Sequence, residues 1–194
     1  MLRLIACLIF VLCSKAYCQE LDGICRLSSS GKQWSGVAIS DSRILTVAHH
    51  GLNPGDTIRA DFGIGSHGSF DRVSLKAKLI KSDRRRDLSI LEYSRKSFAV
   101  RSYPIGRECD NGDVALIAGY VHDGPMIVHC RLTSKDTEVD AIKVLEFKGQ
   151  GVSGMSGAPV LFGGRTAGVQ FGGSSTVINA VTVEAIREFL EGVR

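Results

Sequence analysis

Residues 34–49 read "WSGVAISDSRILTVAH", and this stretch decides the fold. Two short apolar segments, 34–40 and 43–48, are separated by Asp41 and Ser42, a pair that favours a turn. The pattern predicts two short β-strands. The second strand ends in small residues and runs into a turn, which leaves His49 at the rim of the sheet.

Similar short segments with turn signals between them lie on both sides of a polar connector at 94–110. The further segments before the connector are 56–62, 72–80 and 88–93, and those after it are 113–120, 126–133, 141–147, 158–164, 166–173 and 175–181. Many short strands at close spacing predict an all-β sandwich or barrel. Because the connector divides the strands into two sets of similar size, we expect two small β-units that meet at a cleft.

Only the end of the chain departs from this pattern. Residues 182–193, "TVEAIREFLEGV", place Val183, Ile186, Phe189 and Leu190 at helical spacing. They predict one terminal amphipathic helix whose apolar face packs against the body of the protein.

The composition is that of an ordinary globular protein: of 194 residues, 44% are hydrophobic and 23% are charged. The formal net charge is +4 and the charges are scattered. The one basic run, three arginines at 84–86, is interpreted as a solvated loop rather than a self-cleavage point. Nucleic-acid binding would need a basic stripe with interleaved aromatic residues. The sequence shows neither, so we expect no nucleic-acid partner.

The first 18 residues, "MLRLIACLIFVLCSKAYC", have the layout of a secretory signal peptide. Arg3 precedes an apolar run at 4–13, and small residues follow the run. The run is too short to favour a permanent membrane anchor. We therefore expect a secreted protein, extracellular or periplasmic, with cleavage after either Ala16 or Cys18.

Export would place the cysteines in an oxidising environment, where disulfides can form. Cys109 and Cys130 bracket a predicted strand-turn-strand segment and could be joined, with buried free thiols as the alternative. The pairing among these two, Cys18 and Cys25 stays open. No cluster of cysteines and histidines has the spacing of a zinc site, so we expect neither a metal nor a cofactor.

Residues 151–160, "GVSGMSGAPV", place three glycines and two serines before an apolar strand. One interpretation is a flexible loop that leads into the strand. The other is that Ser156 is a nucleophile, with flanking glycines that aim backbone N–H groups at a substrate. A serine hydroxyl needs a neighbouring base and an orienting carboxylate. His49, at the end of a strand, and Asp87, at the start of one, are candidates for these roles.

The segments "ILTVAH", "RDLSIL" and "GMSGAPV", in this order, resemble the three signature segments of chymotrypsin-like serine proteases. The similarity is greatest to the branch of HtrA-type proteases and glutamyl endopeptidases, and it covers essentially the whole chain after the signal peptide. The resemblance implies an all-β fold of two six-stranded antiparallel β-barrels with a C-terminal α-helix. Residues 19–100 would form the first barrel, and residues 101–194 the second barrel and the helix.

The resemblance assigns the general base to His49, the orienting carboxylate to Asp87 and the nucleophile to Ser156. It implies that the backbone N–H groups of Gly154 and Ser156 form an oxyanion hole. His50 competes with His49 for the role of base, but the family pattern selects His49 and leaves His50 at the rim.

The resemblance also implies a primary specificity pocket formed by Gln150, Gly151, Gln170, Phe171, Gly172 and Gly173. No aspartate lies there to attract a lysine or arginine side chain, and Gln170 stands where glutamyl-selective relatives carry a histidine. The implied preference before the scissile bond is a neutral or apolar side chain.

Together these features predict a secreted serine endopeptidase that cleaves protein or peptide substrates through an acyl-enzyme intermediate. The alternative is a catalytically silent binding module on the same fold, since a fold does not guarantee its chemistry. The order histidine, aspartate, serine along the chain disfavours an α/β-hydrolase esterase, in which the serine comes first.

Overall fold

The computed structural model describes residues 21–53, 55–64, 71–94, 100–121 and 124–193, and the predicted signal peptide lies outside these ranges. Twelve β-strands and one helix make up the described chain. The strands are β1 (Ile24–Ser29), β2 (Lys32–Ala38), β3 (Arg43–Thr46), β4 (Thr57–Ile64), β5 (Asp71–Asp83), β6 (Leu88–Tyr93), β7 (Val114–Val121), β8 (Gly124–Val139), β9 (Ile142–Lys148), β10 (Pro159–Phe162), β11 (Arg165–Gly173) and β12 (Val177–Val181), and the helix is α1 (Val183–Leu190).

The strands form two closed barrels of six strands each. The order around the first barrel is β1-β2-β3-β6-β5-β4, and around the second β10-β11-β12-β9-β8-β7. Closure leaves no unpaired sheet edge, which suits a chain of short apolar strands. The prediction of an all-β fold with two six-stranded barrels and a C-terminal helix is confirmed. The first barrel ends at Tyr93 and the second starts at Val114, with the predicted boundary in the connector between them.

Strand β1 is not among the strands predicted from the pattern of apolar segments, which places five strands before the connector. Its segment, "ICRLSS", carries Arg26, a residue type that is seldom buried without a partner. In the structure Arg26 lies opposite Asp61 of β4, and its guanidinium donates to that carboxylate at 3.0 Å. Burial alone would raise the pKa of Asp61, but hydrogen bonds from Ser74, Arg59 and Arg26 hold it below its usual value. The arginine is therefore accommodated only because β4 supplies its counter-charge.

The two barrels share a continuous apolar core. One cluster of buried side chains joins Trp34 and Val37 of the first barrel to Tyr120 and Val169 of the second. Burial of such side chains is the main stabilising contribution to a seam of this kind. The two halves of the molecule are therefore held in one relative position, which is a requirement for any site assembled between them.

Helix α1 closes the chain against both barrels. Thr182 caps its N-terminus, because its Oγ1 accepts the N–H of Ala185 at 3.2 Å. Lys81 of β5 donates to the carbonyls of Phe189 and Glu191 at the other end, where a cation also favours the helix dipole. The apolar face predicted from the sequence is buried through Val183, Ile186 and Phe189. Within the described ranges, the chain has no helix with the length and apolar character needed to span a bilayer.

Candidate active site

The ends of two neighbouring strands bring His49 and Asp87 together. Strand β3 pairs with β6, with Thr46 opposite Ser89, so the segment after β3 lies beside the residue before β6. Asp87 Oδ2 lies 2.7 Å from His49 Nδ1. Asp87 Oδ1 accepts the backbone N–H of Ala48 at 2.9 Å and that of His49 at 2.7 Å. The carboxylate is therefore held through both of its oxygens.

This arrangement determines the role of each nitrogen in the His49 ring. An ionised carboxylate only accepts hydrogen bonds, so Nδ1 carries the proton and Nε2 of the neutral ring has a free lone pair. Asp87 is only 6% exposed, whereas the His49 side chain is 41% exposed. The histidine therefore offers a proton acceptor to solvent and is oriented from behind by a buried carboxylate.

The backbone of Asp87 lies in the left-handed region, with φ of +52°. Few residues other than glycine adopt this conformation, although aspartate and asparagine tolerate it better than most. Strained residues of this kind concentrate at functional sites, where the surrounding structure holds them. Here the conformation forms the junction between the arginine run at 84–86 and the buried strand β6.

His50 is packed into the wall beside the pair. Its ring stacks on Trp34 with centroids 4.5 Å apart, and it lies at the same centroid distance from the His49 ring. Its Nε2 is buried and has no hydrogen-bond partner in the part of the chain that the structure describes. Burial, reinforced by the neighbouring His49, lowers the pKa of His50 to about 4. A neutral ring with an enclosed Nε2 is not suited to proton transfer, which favours His49 over His50 as the base.

The segment 151–160 forms two consecutive tight turns. The N–H of Met155 donates to Val152 O at 3.2 Å, and the N–H of Ala158 donates to Met155 O at 2.8 Å. Gly154 and Gly157 are the third residues of these turns, with φ of +96° and +85°. A type II turn requires positive φ at its third residue, which explains the glycines. The segment is therefore a defined structure rather than a flexible loop.

Gly157 also lies where no side chain fits. A Cβ atom at this position would lie 2.0 Å from Ser35 O and 2.3 Å from Thr46 Oγ1. Both of these residues belong to the first barrel, so the turn is pressed against the opposite half of the molecule. The closeness of the two backbones requires glycine at this position.

Ser35 of β2 is a functional candidate that sequence reasoning does not single out. Its backbone N–H donates to Ser156 O at 2.8 Å, and its Oγ donates to Gly154 O at 3.1 Å. The same Oγ accepts the N–H of Tyr120 at 2.9 Å. Ser35 is fully buried. It therefore anchors the turn around Ser156 to the first barrel, and nothing in its local sequence announces this role.

Three polar groups of the turn around Ser156 are unpaired within the described residues. Among the described residues, the N–H groups of Gly154 and Ser156 have no hydrogen-bond acceptor, and the Ser156 hydroxyl has no partner. His49 is hydrogen-bonded to Asp87, but no hydrogen bond joins His49 to Ser156. Hydrogen bonds of this kind are often long in ligand-free sites and shorten when substrate binds.

A cavity of about 930 Å³ lies beside the His49–Asp87 pair. Its wall includes, from the predicted pocket, Phe171, Gly172 and Gly173. It also includes Asn179 of β12, which the sequence analysis does not single out because it lies within an ordinary strand segment. Arg84 and Asp140, both exposed, add one charge of each sign to the lining.

The other predicted pocket residues lie outside this lining. Gly151 approaches it through the backbone, since its N–H donates to the carbonyl of Ser174, a lining residue, at 2.8 Å. Gln170 is 3% exposed, and its buried side-chain carbonyl has no hydrogen-bond partner within the described ranges. Gln150 is exposed on the loop before the turns. The structure therefore groups three of the six predicted residues around the cavity.

The described cysteines are not reactive groups of the site. Cys25, Cys109 and Cys130 are buried free thiols, and Cys18 lies outside the described residues. Burial raises the pKa of Cys109 to about 11 and that of Cys130 to about 12. Thiols of this kind stay protonated and are poor nucleophiles. Of the two alternatives for Cys109 and Cys130, the structure has the free thiols.

Several solved structures, proteases among them, have the same fold. HtrA-type protease AlgW with a tripeptide superposes with a TM-score of 0.75 at 18% identity, over 89% of this chain and 60% of that chain. Deg5 superposes with a TM-score of 0.70 at 15% identity, over 87% of each chain. The inactive form of the Rv3671c protease of M. tuberculosis gives 0.70 at 16% identity, over 89% of each chain. At these identities the likeness shows the fold.

The sequence itself carries the family assignment. No curated protein sequence matches this chain. The model of the trypsin-like peptidase domain, however, matches residues 34–169, which is more than half of the chain and contains His49, Asp87 and Ser156. With two six-stranded barrels and a histidine–aspartate pair beside a cleft, the chain belongs to the family of trypsin-like peptidase domains.

Proposed function

We propose that the protein is a serine endopeptidase in which Ser156 is the nucleophile, His49 the general base and Asp87 the orienting carboxylate. The observation that carries the proposal is the 2.7 Å bond between Asp87 Oδ2 and His49 Nδ1, with the other carboxylate oxygen held by two backbone N–H groups. Peptide substrates are supported by the similarity to AlgW, whose structures contain a tripeptide and a decapeptide.

In this reaction Ser156 Oγ attacks the carbonyl carbon of the scissile peptide bond while His49 Nε2 takes its proton. The oxygen of the tetrahedral intermediate accepts hydrogen bonds from the unpaired N–H groups of Gly154 and Ser156. His49 then protonates the leaving amine, and an acyl-enzyme on Ser156 remains. Water activated by His49 releases the acid product. Asp87 keeps the ring in the required tautomer and stabilises its charged form.

The test is covalent labelling with a fluorophosphonate, combined with cleavage of a peptide library. Wild-type protein should be labelled and active, and Ser156→Ala should lose both properties while its thermal unfolding stays nearly unchanged. Ser153→Ala is the matched control, since Ser153 is an exposed serine of the same turn segment and should behave as wild type. Equal labelling of Ser156→Ala would show that the nucleophile lies elsewhere.

The second candidate function is a catalytically silent binding module. It is favoured by the Ser156 hydroxyl, which has no hydrogen-bond partner among the described residues. On this alternative the wild-type protein binds peptides without cleaving them and is not labelled, under conditions that label a digestive trypsin.

We also infer export from the predicted signal peptide at 1–18. N-terminal sequencing of the protein recovered from the culture medium or periplasm should begin at residue 17 or 19.

A further inference from the structure

Asn179 occupies a cavity-facing position of strand β12. Side chains alternate along a strand, and here Ile178 and Ala180 are fully buried in the barrel interior, whereas Val177 and Asn179 line the cavity beside the candidate active site. Asn179 is paired with Gly172 of β11. A carboxamide is therefore placed on the β11–β12 side of the cavity, where the other lining residues are small or apolar.

The space in front of this carboxamide is open. A Cβ atom added at Gly172 would meet no atom within 4 Å, so the strand that faces Asn179 leaves room beside it. The neighbouring glycine Gly151 is packed tightly, because a Cβ there would lie 2.9 Å from Ser174 O. The pocket therefore has a close-packed backbone wall at Gly151 and open space at Gly172, next to the half-buried side chain of Asn179.

The carboxamide of Asn179 has no hydrogen-bond partner among the described residues. Its Oδ1 is buried without a hydrogen bond, and no described residue pairs with the amide as a whole. Native proteins satisfy nearly all buried polar groups, so an unpaired one in a pocket wall calls for a functional explanation. A group that enters the pocket from a substrate would supply the missing partner.

The charges of the lining indicate what that group is. On the β11–β12 side of the cavity, the lining runs through Phe171, Gly172, Gly173, Ser174, Val177 and Asn179, which are all uncharged. An ionised substrate side chain packed against this side would meet no counter-charge from β11 or β12, because the charged lining residues Arg84, Asp87 and Asp140 belong to other segments of the wall. An apolar side chain would leave the amide unpaired. A primary carboxamide has both a donor and an acceptor, and it can satisfy both ends of Asn179.

We propose that Asn179 is the specificity-determining residue of the substrate pocket and selects a carboxamide side chain, above all glutamine, at the residue before the scissile bond. The inference rests on the proposed function, because it concerns the substrate of the same site. It narrows the neutral or apolar preference implied by the sequence to a neutral side chain that forms hydrogen bonds.

The experiment uses peptides of the form acetyl-Ala-Ala-Ala-X-Ala-Ala-amide, with X as glutamine, methionine, glutamate, leucine or lysine. Wild-type protein should cleave the glutamine peptide with a kcat/KM roughly tenfold or more above that of methionine, which has a similar length and no hydrogen-bonding group. Asn179→Leu keeps the shape and removes the amide, and it should bring the two values close together. Asn111→Leu is the control, since Asn111 is exposed in a turn and its replacement should leave the preference unchanged.

A second variant and a second measurement separate this inference from the proposed function. Asn179→Asp keeps the side-chain size and should make lysine at X, poorly cleaved by wild type, a better substrate. Binding of the same peptides to Ser156→Ala, measured by calorimetry, should follow the order found in cleavage. If wild type cleaves none of the peptides, the proposed function fails and the binding order alone decides the inference. Equal binding of glutamine and methionine peptides, or a preference that survives in both Asn179 variants, overturns it.

Discussion

At the scale of single residues, the site depends on how Asp87 is held. One oxygen bonds to the imidazole of His49, and the other accepts two backbone N–H groups from the segment after β3. Because the residue is nearly buried and its φ is +52°, the carboxylate has little freedom to move. A change of charge without a change of shape is therefore the most informative substitution.

Asp87→Asn should lower kcat for peptide cleavage by about 10⁴, because the amide donates to Nδ1 and stabilises the wrong tautomer of His49. Asparagine tolerates a positive φ, so the backbone should keep its conformation. Steady-state kinetics on a cleaved library peptide measure the loss. Asp136→Asn, at an exposed position of β8, is the control and should retain activity. A loss of only a few fold in Asp87→Asn would assign the orienting role to another carboxylate.

His50 gives a prediction about acid stability. The folded protein keeps its ring neutral until about pH 4, whereas the unfolded chain takes up that proton near pH 6.5. Between these values the unfolded state binds more protons, so the free energy of unfolding falls as the pH is lowered. His50→Phe, which preserves the stack on Trp34, should flatten this decline. Urea unfolding at intervals from pH 6.5 to pH 4 measures it, and identical slopes in both proteins would refute the assignment.

At the scale of elements, strand β2 positions the turn that carries Ser156. Ser35 donates to Gly154 O and to Ser156 O, and Thr46 Oγ1 of β3 donates to Ser35 O at 2.7 Å. The hairpin of β2 and β3 thus connects the turn in the second barrel to the strand that ends next to His49. The relative position of the two groups is set by this hairpin.

Ser35→Ala should lower the free energy of unfolding by about 1–3 kcal/mol, because it leaves the buried N–H of Tyr120 without an acceptor. It should also lower kcat by roughly tenfold, since the peptide at Gly154 loses its anchor and the proposed oxyanion donors are no longer aligned. Ser28→Ala, a half-buried serine of β1 in the same barrel, should change neither quantity. Equal kinetics for the two variants would remove Ser35 from the positioning of the site.

At the scale of the whole molecule, the site exists only because two barrels meet closely. The pair of His49 and Asp87 belongs to the first barrel, and the turn with Ser156 belongs to the second. Buried apolar side chains hold the seam, and Gly157 allows the backbones to approach. Any substitution that pushes the two barrels apart should therefore lower activity and the free energy of unfolding together.

Gly157→Ala tests this requirement. The new Cβ would collide with Ser35 O across the seam, so we expect the free energy of unfolding to fall by about 3 kcal/mol or more and cleavage to be lost. Gly164→Ala is the matched control, because Gly164 also has a positive φ, of +73°, but no atom lies within 4 Å of the added Cβ. It should cost about 1 kcal/mol and keep activity. Similar effects in both variants would show that backbone strain, and not the seam, is responsible.

The sequence by itself determined most of the elements and the residues that carry chemistry. Strands, turns and the terminal helix follow from patterns within a few residues, such as the apolar segments around Asp41 and Ser42. The glycines at 154 and 157 are likewise local, because each supplies the positive φ that its own turn requires. Such features are readable because their physical cause lies in the same stretch of chain.

Only the tertiary structure decided the roles that depend on distant partners. Arg26 is buried because Asp61, 35 residues away, lies opposite it, and Ser35 anchors Gly154 across 119 residues. Asn179 faces the cavity because β12 pairs with β11 at Gly172. Nothing near these residues in the chain signals their roles, since the energy of a buried hydrogen bond depends on which groups the fold brings together.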